Sequence, residues 1–205
     1  MNLFYYLTRL MKRIKPRSIS NSKIDNTAYI CGGSQVLNST IGKHTIVAQD
    51  STVLHADIGN FCSIGKTIGG AAHPIHMVSS SNAFVEGRSV LKKKFADHPF
   101  NPMKRTHIGN DVWVCVPSIV RSGVTIADGA VVGAGSVVTK DIGPYEIWAG
   151  CPARFVKKRF DDETIEKLLE IKWWDWSDDK IEKYACYFDD PKKLIRALEE
   201  EKDPS

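Results

Sequence analysis

Aliphatic residues recur every six positions from Ile108 to Val138, at Ile108, Val114, Val120, Ile126, Val132 and Val138. Four residues after each sits a small or β-branched partner: Val112, Ser118, Val124, Ala130, Ser136 and Ile142. A period of six matches neither the 3.6 of a helix nor the 2.0 of an amphipathic strand. It matches a coil of three short flat faces, one hexapeptide to a face, with the aliphatic residue pointing inward. Three hexapeptides close a triangular turn, so eighteen residues advance the chain by one inter-strand spacing, ~4.8 Å. Such a solenoid buries its inward residues only when several turns stack.

The same pattern opens at Ile24 and continues through Ile30, Val36, Ile41, Val47, Val53, Ile58 and Ile64. Its intervals are 6, 6, 5, 6, 6, 5 and 6, which puts Ile24, Ile41 and Ile58 at a constant spacing of 17. A one-residue deletion repeated at one corner keeps the faces in register. The companion positions Ala28, Ser34, Thr40, Thr45, Ser51 and Cys62 are small, whereas Asp57 and Ile68 are less typical. Gly follows the aliphatic residue at Gly42, Gly59, Gly65, Gly109 and Gly133. That placement predicts tight corners with φ values that only Gly adopts cheaply.

After Gly70 the rhythm stops, and it resumes in frame at Ile108. The intervening insert carries four of the six histidines, His73, His76, His98 and His107, together with Pro74, Phe84, Phe95 and Phe100. A loop longer than ~12–15 residues is usually functional or disordered. With a rigid coil on either side, this one predicts an ordered arm lying over a neighbouring surface. Past Asp141 the repeat decays and the chain turns helical. Asp161 and Asp162 suit a helix start before Ile165, Leu168, Leu169 and Ile171. Ser177 caps a second helix, and Pro191 opens a third. Trp173, Trp174 and Trp176 are expected to pack between these helices and the coil. The division is a capping helix over 1–20, a coil over 21–154 with an inserted loop at 71–107, and a helical segment over 155–205. In all, this is an all-β solenoid with an inserted arm and C-terminal α-helices.

Composition narrows the partners. A net charge of +4 suits an anionic small molecule, and no cluster of arginines with aromatics marks a nucleic-acid footprint. Five cysteines without a CxxC pair argue against a secreted disulfide framework and for a reducing cytoplasm. No apolar run approaches the ~20 residues of a membrane span. The opening segment has Leu3, Tyr6, Leu7, Leu10, Met11 and Ile14 at helical spacing among Arg9, Lys12, Arg13 and Lys15. It reads as a cap for the open end of the coil. Attachment to a membrane surface through its basic face is the other use of such a segment and is not expected.

The hexapeptide repeats, the histidine arm after Ile58-Gly-Asn-Phe-Cys-Ser-Ile-Gly, the re-entry Ile108-Gly-Asn-Asp-Val-Trp and the exit Ala149-Gly-Cys-Pro-Ala-Arg together resemble the left-handed β-helix acyltransferases. Within that family the chain is most similar to the xenobiotic and saccharide O-acetyltransferase branch, from about Ile24 to Phe160. The resemblance implies a left-handed parallel β-helix, a homotrimer, acetyl-CoA or another short acyl-CoA in a groove between neighbouring coils, and one catalytic histidine from the arm. It implies no metal.

Transfer from a thioester to a hydroxyl needs a base, and a neutral imidazole is one at pH 7. His73, at the root of the arm after Gly69-Gly70-Ala71-Ala72, is the candidate and matches the family's catalytic histidine; His76 is the alternative. His44 and His55 read as structural. A tetrahedral oxyanion needs a preorganised donor, most simply a backbone N–H. Ala134, Gly135 and Ser136 are small enough to let the pantetheine of CoA approach the main chain. Trp113 should project outward, as a wall of the thioester site or as subunit packing. Pro152 with Arg154, Lys157, Lys158 and Arg159 offers a flat apolar rest and cations for a nucleotide end. In the arm, His76, Ser79, Ser80, Ser81, Asn82 and Glu86 offer polar contacts to an acceptor.

The expected activity is acylation of a hydroxyl or amino group of a sugar, either a nucleotide-linked amino sugar or a surface-polysaccharide unit. An antibiotic O-acetyltransferase is the alternative. On the same fold, a zinc hydratase of the carbonic anhydrase kind would need three histidine ligands, and no histidine follows His107. A non-catalytic scaffold would leave the histidine arm and the Pro-Ala-Arg exit without a purpose.

Overall fold

The computed structural model describes Tyr6 and residues 15–87 and 90–202. Most of the expected capping helix over 1–20 lies outside the described residues. Its end does not: Ser18–Ser20 form a strand, so the first coil starts ahead of Ile24.

The chain is a left-handed parallel β-helix. Its first face stacks Ser18–Ser20, Gln35–Leu37, Thr52–Leu54, Thr67–Ile68, Ile119–Val120 and Val137–Val138. The second stacks Lys23–Ile24, Thr40–Ile41, Ala56–Ile58, Thr106–Ile108 and Thr125–Ile126. The third stacks Tyr29–Ile30, Ile46–Val47, Ser63–Ile64, Trp113–Val114 and Val131–Val132, then Glu146–Gly150. Ala153–Lys158 closes that face by turning back antiparallel on Glu146–Gly150, so the helical segment expected from residue 155 begins later. Helices α1 (Asp162–Ile171), α2 (Asp178–Tyr184) and α3 (Pro191–Lys202) follow. The Asp161 carboxylate caps α1 by accepting from the Thr164 N–H, and the Ser177 hydroxyl caps α2.

The inward aliphatic residues pair coil to coil as their spacing requires: Ile41 on Ile58, Val47 on Ile64, Val36 on Val53, and Ile108 on both Ile58 and Ile126. Each is worth ~1.5–3 kcal/mol when buried. The companions need a correction. Counting forward from the aliphatic residue placed Thr40 and Asp57 inside, but the buried residues are Ser39 and Ala56. The deletion at the short corner falls between aliphatic residue and companion, so the constant relation runs backward. The companion lies two residues before the next inward aliphatic residue, as the buried Ser34, Ser39, Thr45, Ser51, Ala56, Cys62, Thr106 and Val112 show.

The corner glycines also have another cause than expected. Gly42, Gly59 and Gly109 do not have positive φ. A Cβ on Gly42 or Gly59 would meet the next coil's backbone oxygen at 2.6 Å, so stacking, not φ, excludes a side chain. The left-handed positions are mostly held by larger residues: Asn21, Asn38 and His55 at the corner between first and second faces, and His44, Phe61, Asp111 and Tyr145 at the corner between second and third. We call these the arm corner and the helix corner.

The arm leaves from the arm corner at Gly69, where φ is +77° and a Cβ would lie 2.1 Å from the Leu54 carbonyl oxygen. It returns at Thr106, whose N–H donates to the His55 carbonyl at 2.9 Å. The arm has a small core of its own. Phe84 stacks on Phe95 with centroids 5.6 Å apart, Val85 bridges to His98, and Ala83 and Val85 are buried. The helices cover the helix corner, where Trp174 is 2% exposed and Phe61 meets Trp173 at 4.9 Å.

Candidate active site

His73 is exposed, three residues past Gly70. Its Nδ1 lies 2.9 Å from the Ser80 carbonyl oxygen. A carbonyl can only accept, so Nδ1 carries the proton and Nε2 presents its lone pair. The bond also ties the arm's outgoing turn to the segment that leads into Asn82–Phe84. Beside the imidazole is a hollow of about 530 Å³, lined by His73, Asn82, Glu86, Phe100, Pro102 and Met103 among others. The lining mixes polar groups with apolar ones. The hollow's base is pinned where the Ala72 N–H donates to the Pro102 carbonyl at 2.7 Å. Of the expected acceptor contacts, Asn82 and Glu86 line this hollow, and Ser80 acts through its carbonyl. His76 is exposed and faces Phe100 at 6.3 Å, but it does not line the hollow.

The second group of candidates lies elsewhere. Trp113 projects outward from the third face at 54% exposure, between Ser63 and Val131. Ala134 and Gly135 are exposed at the corner between third and first faces. Gly135 has φ +71° and open space around a Cβ, so conformation rather than crowding selects it. Ser136 is buried, its hydroxyl donating to the Gly133 carbonyl and accepting from the Gly150 N–H. Its side chain is therefore committed to holding the Ala134-Gly135 turn against the closing hairpin. On that hairpin Pro152, Arg154, Lys157 and Lys158 are all exposed. Lys158 is paired with Asp162 at 2.5 Å, whereas Arg154 and Lys157 have no ion pair among the described residues. Arg159, grouped with them by sequence, is instead locked at the helix corner. Its Nη1 donates to Asp111 at 2.9 Å and to the Gly129 carbonyl at 2.7 Å, and its guanidinium lies 5.2 Å from the rings of both Tyr145 and Phe160.

The two groups of candidate residues thus lie on different sides of the coil. The histidine hollow springs from the arm corner, which is opposite the third face, where Trp113 and the cationic hairpin lie. A face is about six residues wide, at most ~20 Å.

Sequence reasoning missed the clamp at the arm's return. Arg105 donates through Nε to Asp57 at 2.5 Å and through Nη1 to the Asn38 carbonyl at 3.1 Å. His107 Nδ1 approaches the same carboxylate at 3.4 Å. Arg105 holds the Asp57 carboxyl below the usual range. The available signal was Asp57 itself, a charge where counting forward from the aliphatic residue called for a small companion.

The fold and repeat define a solenoid protein of the hexapeptide-repeat class. No family model matches the chain. It is 40% identical over 129 residues to a chloramphenicol acetyltransferase of Agrobacterium fabrum, a match covering 60% of this chain and 61% of that protein. It is 40% identical over 130 residues to a probable macrolide acetyltransferase of Lysinibacillus sphaericus, covering 60% of this chain and 71% of the relative. Among solved structures, a galactoside acetyltransferase in complex with coenzyme A shares 26% identity, with 78% of each chain covered and a TM-score of 0.47. The chain spans about three fifths of the length of the curated chloramphenicol acetyltransferases it matches. It belongs to the hexapeptide-repeat acetyltransferase family.

Proposed function

We propose that the protein transfers an acetyl group from acetyl-CoA to a hydroxyl of a sugar, with His73 as general base, and that it does so as a homotrimer. The observation that supports this reading is the separation of the two groups. The His73 hollow springs from the arm corner and the cationic hairpin lies on the opposite face, an arrangement in which a second copy would set one against the other. The arm supports that arrangement, since Ile75 and Val78 are almost entirely exposed in the single chain and offer apolar contact to a neighbour.

In this reading Arg154 and Lys157 hold the phosphates of CoA, Pro152 supports its base, and the pantetheine runs past the Ala134-Gly135 turn toward Trp113. The acceptor hydroxyl donates to His73 Nε2 and its oxygen attacks the thioester carbonyl carbon. The proton passes to the imidazole, the tetrahedral oxyanion is stabilised by main-chain N–H groups, and collapse expels the CoA thiolate, which recovers the proton from the imidazolium. A sugar suits the hollow because its apolar ring face matches Phe100 and Met103 while its hydroxyls match Asn82 and Glu86. The names of the sequence relatives favour an antibiotic hydroxyl as the second reading.

Incubation with acetyl-CoA and a panel of nucleotide sugars, oligosaccharides, chloramphenicol and macrolides, with thiol release as the readout, tests both. His73→Ala should lower turnover by ~10²–10⁴ with CoA binding retained. A near-normal rate in that variant removes His73 from the mechanism.

A further inference from the structure

Below the arm, on the arm corner, lies a second hollow of about 680 Å³ lined by Asn21, Lys23, Asn38, Thr40, His55 and Arg105, with Ser22 and Ser39 between them. Three of these residues occupy the same corner of successive coils, at a chain spacing of 17. Asn21 Nδ2 donates to Asn38 Oδ1 at 2.6 Å, and Asn38 Nδ2 meets His55 Nε2 at 3.1 Å. With its oxygen already accepting, Asn38 turns its NH₂ to His55. Nε2 then accepts, and the imidazole proton sits on Nδ1. The ladder spends one hydrogen-bonding valence of Asn21 and of His55 and two of Asn38, and leaves free the Asn21 carbonyl oxygen, the second amide N–H of Asn38 and the His55 Nδ1–H. Lys23 adds an ammonium with no ion pair among the described residues.

The two hollows touch the same stretch of chain without sharing a lining residue. Pro102 lines the histidine hollow and Arg105, three residues on, lines this one, so they are joined by a span of at most ~10 Å of the arm's return leg. Arg105 is held rigidly there by Asp57 and the Asn38 carbonyl. Among the described residues no Phe, Tyr or Trp lines the ladder hollow, whose lining is polar throughout. What the hollow presents is two cations, Lys23 and the Asp57-paired Arg105, beside the amides of Asn21 and Asn38 and the imidazole of His55, these last three repeated at the coil spacing of ~4.8 Å, about the length of one pyranose ring.

Resting on the sugar-acetyltransferase reading above, we propose that this ladder binds the units of an oligosaccharide acceptor that lie beyond the unit acylated at His73. The enzyme then acts on a glycan chain in preference to a free sugar, and Asn21, Lys23, Asn38 and His55 set that preference.

The test compares kcat/KM by thiol release for malto- and chito-oligosaccharides of one to six units, in the parent and in Asn21→Ala/Lys23→Ala, both exposed positions. The expected result is a rate that rises with chain length, and a variant whose ratio of six-unit to one-unit kcat/KM falls about tenfold, the equivalent of one or two lost hydrogen bonds. A parent rate independent of length, or a variant that loses both substrates equally, overturns the proposal. Titration calorimetry of the six-unit glycans into the protein without acetyl-CoA is read separately. If no sugar releases thiol, the acetyltransferase reading fails on its own terms, and absence of calorimetric binding then removes the ladder site as well. Dissociation of the oligomer by the variant in sedimentation would assign the hollow to a second copy of the chain and also overturn the proposal.

Discussion

At the arm corner the left-handed positions are held by Asn21, Asn38 and His55, with φ between 45° and 50°; at the helix corner they are held by His44, Phe61, Asp111 and Tyr145, with φ between 52° and 58°. The backbone is the same and the coils stack at the same spacing. At the helix corner the side chains are roofed. Phe61 packs with tilted rings against His44 at 4.8 Å and Trp173 at 4.9 Å, Asn60 Nδ2 donates to the Trp174 carbonyl at 3.2 Å, and Asp111 pairs with Arg159. At the arm corner an equally ordered row of side chains faces an open hollow. The comparison teaches that solenoid geometry dictates where a corner side chain stands, and that the residue chosen dictates whether the protein covers it or leaves it for a partner. Aromatic residues recruit the helices, because burying an aromatic ring brings a large apolar gain. At the arm corner the Asn21 and Asn38 amides and the His55 imidazole bond one another instead.

Removing the roof should have the largest effect. Trp174→Ala, at a side chain only 2% exposed, is expected to cost ~3–5 kcal/mol in denaturant unfolding. The loss should concentrate in hydrogen exchange of α1–α3, with the coils still protected. Unpairing the helix corner comes next. Arg159→Met leaves Asp111 without its partner and the Gly129 carbonyl without a donor. The expected loss is ~2 kcal/mol, below the 3–5 of a fully buried pair because both side chains keep about a quarter of their exposure (27% and 26%). A loss under ~0.5 kcal/mol would show that the aromatic contacts alone hold the helices.

The two corners should also respond to pH with opposite sign. Asp57, beside the arm corner, has its folded pKa lowered first by Arg105, so its contribution is present above the ordinary value near 4 and is lost as pH falls through the lowered value. Asp111, at the helix corner, has its folded pKa raised by burial, which Arg159 only partly offsets. Its contribution is full below the ordinary value and is lost as pH rises through the raised one. Urea midpoints should therefore show Asp57→Asn trailing the parent at about pH 6 and converging on it below about pH 3, whereas Asp111→Asn gains on the parent over the same rise in pH. Parallel curves would erase the contrast. The smallest effect belongs to the open ladder: Asn38→Ala should cost ~0.5–1.5 kcal/mol, since its neighbours can turn to water.

Much of this molecule was legible in the order of its residues. The inward column was readable because the hexapeptide rule acts between near neighbours, and Ser177 and Pro191 announced their helices by local capping chemistry. The companions at the short corner were misplaced at Thr40 and Asp57 because a one-residue deletion looks the same on either side of it. The corner glycines were explained by the wrong force because the obstacle to a Cβ on Gly42 is the backbone of Gly59, seventeen residues away. His73 could be singled out as a base, but its proton is placed by the Ser80 carbonyl, a partner no periodicity reveals. Arg159 looked like one more cation of the hairpin until the fold gave it Asp111.

What the chain determined by itself was the coil, the place where the arm interrupts it and the kind of chemistry the arm's histidine can do, because these follow from spacing and side-chain type within a few residues. Tertiary structure alone decided which corner is roofed and which stands open, and that His73 and the cationic hairpin lie on different sides of the coil. Those outcomes rest on contacts such as Arg159 with Asp111 and Arg105 with Asn38, at separations of 48 and 67 residues. Their energy exists only once the stacked coils have brought distant segments into register.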